Sequence, residues 1–140
     1  AEEMSMPPTS HKILVFFPTA RMASFVALLF QERLQFAVHE LHGRCEMSAR
    51  IVAQHDFGRS ASGVLFSSGV SERGLDFPDV TLVVQVLAPS SQEQYVHRVG
   101  RTARVGKSGR AIMLLLDREA SVLSLESLPA VRHPNEALLL

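Results

Sequence analysis

Between Tyr95 and Arg110 the chain reads Y-V-H-R-V-G-R-T-A-R-V-G-K-S-G-R, which sets Arg98, Arg101, Arg104, Lys107 and Arg110 at three-residue intervals with no acidic residue among them. The chain as a whole balances 14 basic against 14 acidic residues, so this concentration of charge is local. A guanidinium is a planar, permanently charged fork that pairs bidentately with phosphate, and several of them along one helix flank make a phosphate site. A solvated basic face is the plainer reading of any charge run. The triplet G-K-S at Gly106–Ser108 resembles the end of a phosphate loop, G-x-x-x-x-G-K-[ST]. Gly100 lies one position too far away, however, and the segment follows a helix and precedes a strand, the reverse of the strand–loop–helix order that such a loop needs.

The elements that must hold these arginines follow from the apolar pattern. Lys12–Phe17 is a continuous apolar run before Pro18, the mark of a strand buried on both faces of a parallel sheet. Thr19 can cap a helix in which Met22, Phe25, Val26, Leu29, Phe30 and Arg33 fall at helical spacing, to about Leu34. Gln35–Leu41 alternates as a second strand, Gly43 allows a turn, and Ile51, Val52 and His55 mark a helix over Met47–Phe57. Gly63–Ser67, Thr81–Val86 and Ala111–Leu116 are further strands. S-x-x-E at Ser90–Glu93 is a capping box that opens a helix through Tyr95–Arg98, which Gly106 and Gly109 end. A short helix is expected around Arg118–Leu128. Strands alternating with helices predict an α/β domain with a mostly parallel sheet, covered by helices on both faces. Ligands on such sheets bind beyond the carboxyl ends of the strands, so Thr19, Gly43, Ser68, the R-G-L-D turn and the arginine segment should share one rim.

H-R-V-G-R-T-A-R at His97–Arg104 resembles the H-R-x-G-R-x-x-R motif of the DEAD-box RNA helicases of superfamily two. V-F-F-P-T at Val15–Thr19, L-H-G-R at Leu41–Arg44 and S-E-R-G-L-D-F-P-D-V at Ser71–Val80 are similar to that family's blocks and stand in its order, covering about Lys12–Leu116. The chain has no D-E-A-D tetrad and is similar to the second, C-terminal RecA-like domain of that family without its first. The acidic, proline-bearing start reads as a linker over 1–10 and the stretch from Pro129 as a fraying tail over 129–140, and the resemblance implies 11–128 as the RecA-like domain. It implies ATP as the nucleotide, with Mg²⁺ held mainly by the N-terminal RecA-like domain. Arg101 and Arg104 are then arginine fingers for the γ-phosphate, Asp76 accepts from the ATP ribose, and His97 links the nucleotide and RNA sites. An ion pair for either arginine, a turn cap for Asp76 and a buried structural role for His97 stand beside these readings. Arg73 is expected to hold its loop. Thr19, Gly43, Arg50 and Ser68 match positions that grip the RNA sugar-phosphate backbone without reading sequence. Gly69 replaces a common aspartate, Met47 a glutamine and Glu72 a small residue.

Length and composition agree with one such domain: 140 residues, 46% hydrophobic, mean hydropathy +0.14. A single cysteine, Cys45, excludes an intrachain disulfide and a zinc cluster built on cysteines, and points to a reducing, intracellular compartment. No apolar run reaches the roughly 18 residues that span a bilayer, so no membrane partner is expected. The implied function is the second motor domain of an ATP-dependent RNA helicase, a monomer, inactive as an isolated chain. V-F-F-P-T and D-F-P-D-V-T-L-V-V-Q resemble the organellar and fungal or plant-type branches, which favours an organelle over nucleus or cytoplasm. The alternative is a non-catalytic RecA-like module that binds RNA or docks proteins. A G-K-T loop and D-E-A-D tetrad encoded upstream of Ala1 would separate the two.

Overall fold

The computed structural model describes residues 11–69, 76–104 and 107–122, without the side chains of 120–122. Its elements are β1 (Lys12–Phe17), α1 (Ala20–Arg33), β2 (His39–Leu41), α2 (Met47–Arg59), β3 (Gly63–Ser68), β4 (Leu82–Val86), α3 (Gln92–Val99), β5 (Arg110–Leu114) and α4 (Asp117–Val122). The strands form one sheet in the order β2-β3-β1-β4-β5, and every pairing is parallel. The expected linker at 1–10, Arg73 and Glu72, and the end of the last helix with the tail lie outside the described residues.

Side chains alternate across a strand, and β1 uses both directions. Leu14 and Phe16 join Leu41, Leu65, Val83, Phe77, Val80 and Phe57 of α2 in one buried cluster. Val15 and Phe17 join Phe66 with Ala23 and Ala27 of α1 in the other. The two helices therefore cover opposite faces. Phe57 is fully buried and meets Phe77 edge to face at 5.0 Å, where an aromatic pair adds about 0.5–1.5 kcal/mol beyond its area. Lys12 shares this face: its Nζ donates to the Gly58 carbonyl at 3.0 Å and lies over the Phe57 ring.

Four expectations need correction. The second strand is His39–Leu41 and not Gln35–Leu41, because Gln35 takes a left-handed φ of 51° and Phe36 bonds back to the Phe30 carbonyl, closing α1 where pairing was expected. In α1 the expected Met22, Val26 and Phe30 pack against the sheet, but the fully buried contacts are Ala23 and Ala27, and Phe25 and Leu29 are exposed. In α2 the sheet receives Ala53 and Phe57, while Ile51, Val52 and His55 face outward. The cap of α3 is Ser91, which accepts from Gln94 N at 3.1 Å; Ser90 binds the Gln94 side chain instead.

Candidate functional site

The helix that carries the basic segment is shorter than its three-residue spacing suggests. α3 stops at Val99, and the bonds Arg101 N to Arg98 O and Thr102 N to Val99 O, both 3.1 Å, tighten its end into a three-residue turn. Ala103 then takes a left-handed φ of 56° and reverses the chain. Gly100 ends the helix that Gly106 and Gly109 were expected to end, and Arg101 and Arg104 stand on the turn beyond it.

This turn is pinned from below. The buried Thr102 hydroxyl donates to the Val80 carbonyl at 2.6 Å, tying the turn to the segment that opens at Asp76. Two ion pairs cross the same gap, Arg104 to Asp76 and Lys107 to Asp79. Gly109 passes so close that an added Cβ would collide with Thr102 Oγ1 and the Ala103 amide, so glycine is required by space.

Both candidate fingers are oriented by the same device. Arg101 Nε donates to the His97 carbonyl at 3.1 Å and Arg104 Nε to the Gly100 carbonyl at 2.7 Å, each four residues back. Burial and the neighbouring Arg104 cation hold the Arg101 guanidinium below its ordinary value, against the raising pull of Asp76. Two cations kept this close with one carboxylate make a site that a polyanion would complete. Asp76 is exposed and bound to Arg104, and His97 is exposed, its carbonyl serving Arg101. Arg98 is different. It is 3% exposed with its guanidinium 5.2 Å from the Phe16 ring centre, a packing role.

The second group of candidates lies at the ends of β1, β2 and β3. The register Phe17↔Ser68 and Leu41↔Ser67 brings these ends level, and the Ser67 hydroxyl donates to the Leu41 carbonyl at 3.0 Å. Thr19 is exposed and caps α1, accepting from Met22 N at 3.1 Å; Gly43 is exposed in the β2–α2 turn. Arg50 is half-buried, and its Nε is buried without a hydrogen-bond partner among the described residues. Ser68 is 3% exposed, so its hydroxyl is less accessible than the sequence reading assumed. Met47 and Gly69 are exposed. Sequence reasoning missed Arg21 and Arg44, which with Ser24, Phe25 and Leu28 line a shallow cleft of about 290 Å³. Arg21 lies one helical turn before Phe25 on an exposed face of α1, which the apolar spacing of Phe25 and Leu29 makes read as a core face.

The description "Helicase conserved C-terminal domain" matches residues 3–106. The chain is 49% identical over 120 residues to the mitochondrial ATP-dependent RNA helicase MSS116 of Phaeosphaeria nodorum, covering 85% of this chain and 22% of that protein. A solved structure of Mss116p bound to ssRNA and AMP-PNP is 33% identical with a TM-score of 0.73, covering 84% of this chain and 24% of that one. Domain 2 of Mss116p bound to an RNA duplex gives 33% identity and a TM-score of 0.68 over 77% of this chain and 43% of that one. The chain spans about a fifth of the length of the curated relatives it matches.

Proposed function

The chain belongs to the DEAD-box ATP-dependent RNA helicases as a C-terminal RecA-like domain, and from that membership we propose that it is the arginine-supplying half of an ATP-driven RNA-unwinding motor. The observation that carries the proposal is the paired anchoring of Arg101 and Arg104 through Nε, which fixes both guanidinium groups on one turn.

ATP is the substrate, bound on an N-terminal RecA-like domain of the same protein. In hydrolysis water attacks the γ-phosphorus, the bond to the leaving ADP oxygen breaks, and negative charge spreads over the transferring group. Arg101 and Arg104 stabilise that charge; a finger of this kind contributes a factor of about 10³–10⁵ in rate, roughly 4–7 kcal/mol of barrier. Asp76 holds Arg104 until nucleotide arrives and then serves the ribose. Mg²⁺ belongs to the N-terminal domain, since Asp76, the carboxylate brought to the arginine pair, is already bound to Arg104. By itself this chain does not hydrolyse ATP.

RNA lies across the ends of β1, β2 and β3. The Thr19 hydroxyl, the Gly43 backbone and the Arg50 guanidinium offer donors to phosphate oxygens, and Ser68 closes the row from beneath. Arg21 and Arg44 extend the positive surface along the cleft. Such contacts position a strand without reading its bases. His97 couples the nucleotide and RNA sites in this reading. Domains 11–128 with flanking 1–10 linker and 129–140 tail, a monomeric state and an organellar site of action complete the reading; a mitochondrial relative supports the last.

The exposed Met47 and Gly69, where the family has glutamine and aspartate, favour a second reading, an RNA-binding or docking module without motor activity. Strand displacement on a short RNA duplex by the two-domain protein separates them. The motor unwinds with ATP, and Arg101→Ala abolishes unwinding while retaining RNA binding; the module binds RNA and never unwinds it.

A further inference from the structure

We infer that Glu40, His42 and Cys45 form a binding site for a divalent cation of borderline softness, Zn²⁺ foremost. The three donors are spaced E-x-H-x-x-C across the end of β2 and the following turn. They differ in type, so this is neither an acidic cluster nor an isolated thiol. A carboxylate oxygen, an imidazole nitrogen and a sulfur all fall within 4.8 Å of one another. His42 Nε2 is 2.9 Å from Glu40 Oε2 and 3.5 Å from Cys45 Sγ, and the sulfur is also 3.3 Å from Nδ1.

Those separations bring a metal within reach of small side-chain adjustments, the carboxylate oxygen and the sulfur lying within 4.8 Å of each other. With bonds of about 2.0–2.1 Å to nitrogen and oxygen and about 2.3 Å to sulfur, tetrahedral Zn²⁺ sets its ligand atoms roughly 3.3–3.7 Å apart. The nitrogen–sulfur distance already satisfies this, and the nitrogen–oxygen distance needs to open by roughly half an ångström. The imidazole is 2% exposed and cannot swing, whereas Glu40 and Cys45 are partly exposed and leave an approach from solvent. Three protein ligands leave a fourth position for water, and one thiolate with one imidazole and one carboxylate suits Zn²⁺ better than Mg²⁺ or Ca²⁺.

The Arg44 amide donates to His42 Nδ1 at 3.3 Å, which assigns a ring N–H to Nε2, facing Glu40 Oε2. A cation on Nε2 displaces that proton to Nδ1, and Cys45 gives its thiol proton to solvent. Net, one cation enters and one proton leaves. Nδ1–H then faces the Arg44 amide, which must turn away, so occupancy is felt in the backbone between Gly43 and Arg44.

The test is a Co²⁺ and Zn²⁺ titration of the reduced, tag-free 140-residue chain after treatment with a chelator. One equivalent of Co²⁺ is expected to give a thiolate-to-cobalt absorption band that Zn²⁺ bleaches and that Cys45→Ser lacks. Glu40→Gln should keep the band and weaken Zn²⁺ binding by about tenfold or more, since even outer partners of metal ligands contribute that much. Long-range ¹H–¹⁵N spectra should show the His42 proton moving from Nε2 to Nδ1 and the Arg44 amide shifting. Absence of the thiolate band in the wild type, a band that Cys45→Ser retains, or unchanged Zn²⁺ affinity in Glu40→Gln would overturn the site.

Discussion

The two rims of this domain hold their cations in opposite ways. At the turn after α3 the positive groups are matched internally: Arg104 with Asp76, Lys107 with Asp79, and both finger candidates with carbonyls four residues back. Around the ends of β1, β2 and β3 Thr19, Gly43 and Arg44 are exposed, and the buried Arg50 Nε has no hydrogen-bond partner among the described residues. A preformed ion pair must be exchanged before it can act on another charge, whereas an unmatched donor gains from any anion that reaches it. In the proposed function the first rim is engaged conditionally, when a nucleotide is pressed against it. The second suits a polyanion that binds at any stage. On this account ATP and RNA act on one domain through surfaces with different thresholds.

The largest contrast should come from Arg104→Ala in the two-domain protein. RNA-stimulated ATP turnover is expected to fall by about 10³–10⁵, with RNA affinity within about twofold by fluorescence anisotropy. Equal loss of both would erase the distinction between the rims.

Gly109→Ala should reach the same rim without touching an arginine. The added methyl meets Thr102 Oγ1 and the Ala103 amide, so urea denaturation should show a loss of about 1–3 kcal/mol, typical of overpacking, together with reduced turnover. A variant as stable and active as the wild type would show that the turn need not be held in this form.

Arg50→Ala is expected to affect only the open rim. Affinity for single-stranded RNA should drop, and the slope of log affinity against log salt should flatten by about 0.7, the value for one phosphate contact on a single strand. Turnover at saturating RNA should persist. Thr19→Ala removes the α1 cap and should cost about 1 kcal/mol in thermal unfolding, with a smaller loss of RNA affinity.

The smallest effect belongs to Asp79. The Lys107 hydrogen bond and charge hold its carboxyl below the ordinary 3.8. A lowered folded value means that its contribution is complete above the ordinary carboxylate range and is lost as pH falls through the lowered value. Asp79→Asn should therefore lower the melting temperature slightly at neutral pH, with the difference from the wild type vanishing as pH falls below about 4.

The sheet was legible in the sequence because a strand buried on both faces leaves a continuous apolar run, and β1 divides that run between two clusters as such a strand must. The inward faces of α1 and α2 were legible only in part: Met22, Val26 and Phe30 do pack against the sheet, whereas Phe25, Leu29, Ile51 and Val52 are exposed. Large apolar residues marked the helices, but Ala23, Ala27 and Ala53 do much of the packing, and an alanine carries little directional signal. The arginine spacing was read as one helix flank because periodicity says nothing of where a helix stops. Gly100 and the left-handed Ala103 decide that, and the result places Arg101 and Arg104 on a turn braced by Thr102, a residue the motif leaves unspecified. The burial of Lys12 at the start of an apolar strand was equally hidden, since only the fold supplies the Gly58 carbonyl that satisfies it.

The most direct measurement is RNA-stimulated ATP hydrolysis by three proteins: this chain alone, the chain preceded by its N-terminal RecA-like domain, and that two-domain protein with Arg101→Ala. Turnover is predicted in the second alone. Turnover by the isolated chain, or by the two-domain protein after Arg101→Ala at an undiminished rate, would contradict the assignment of the arginine turn to catalysis.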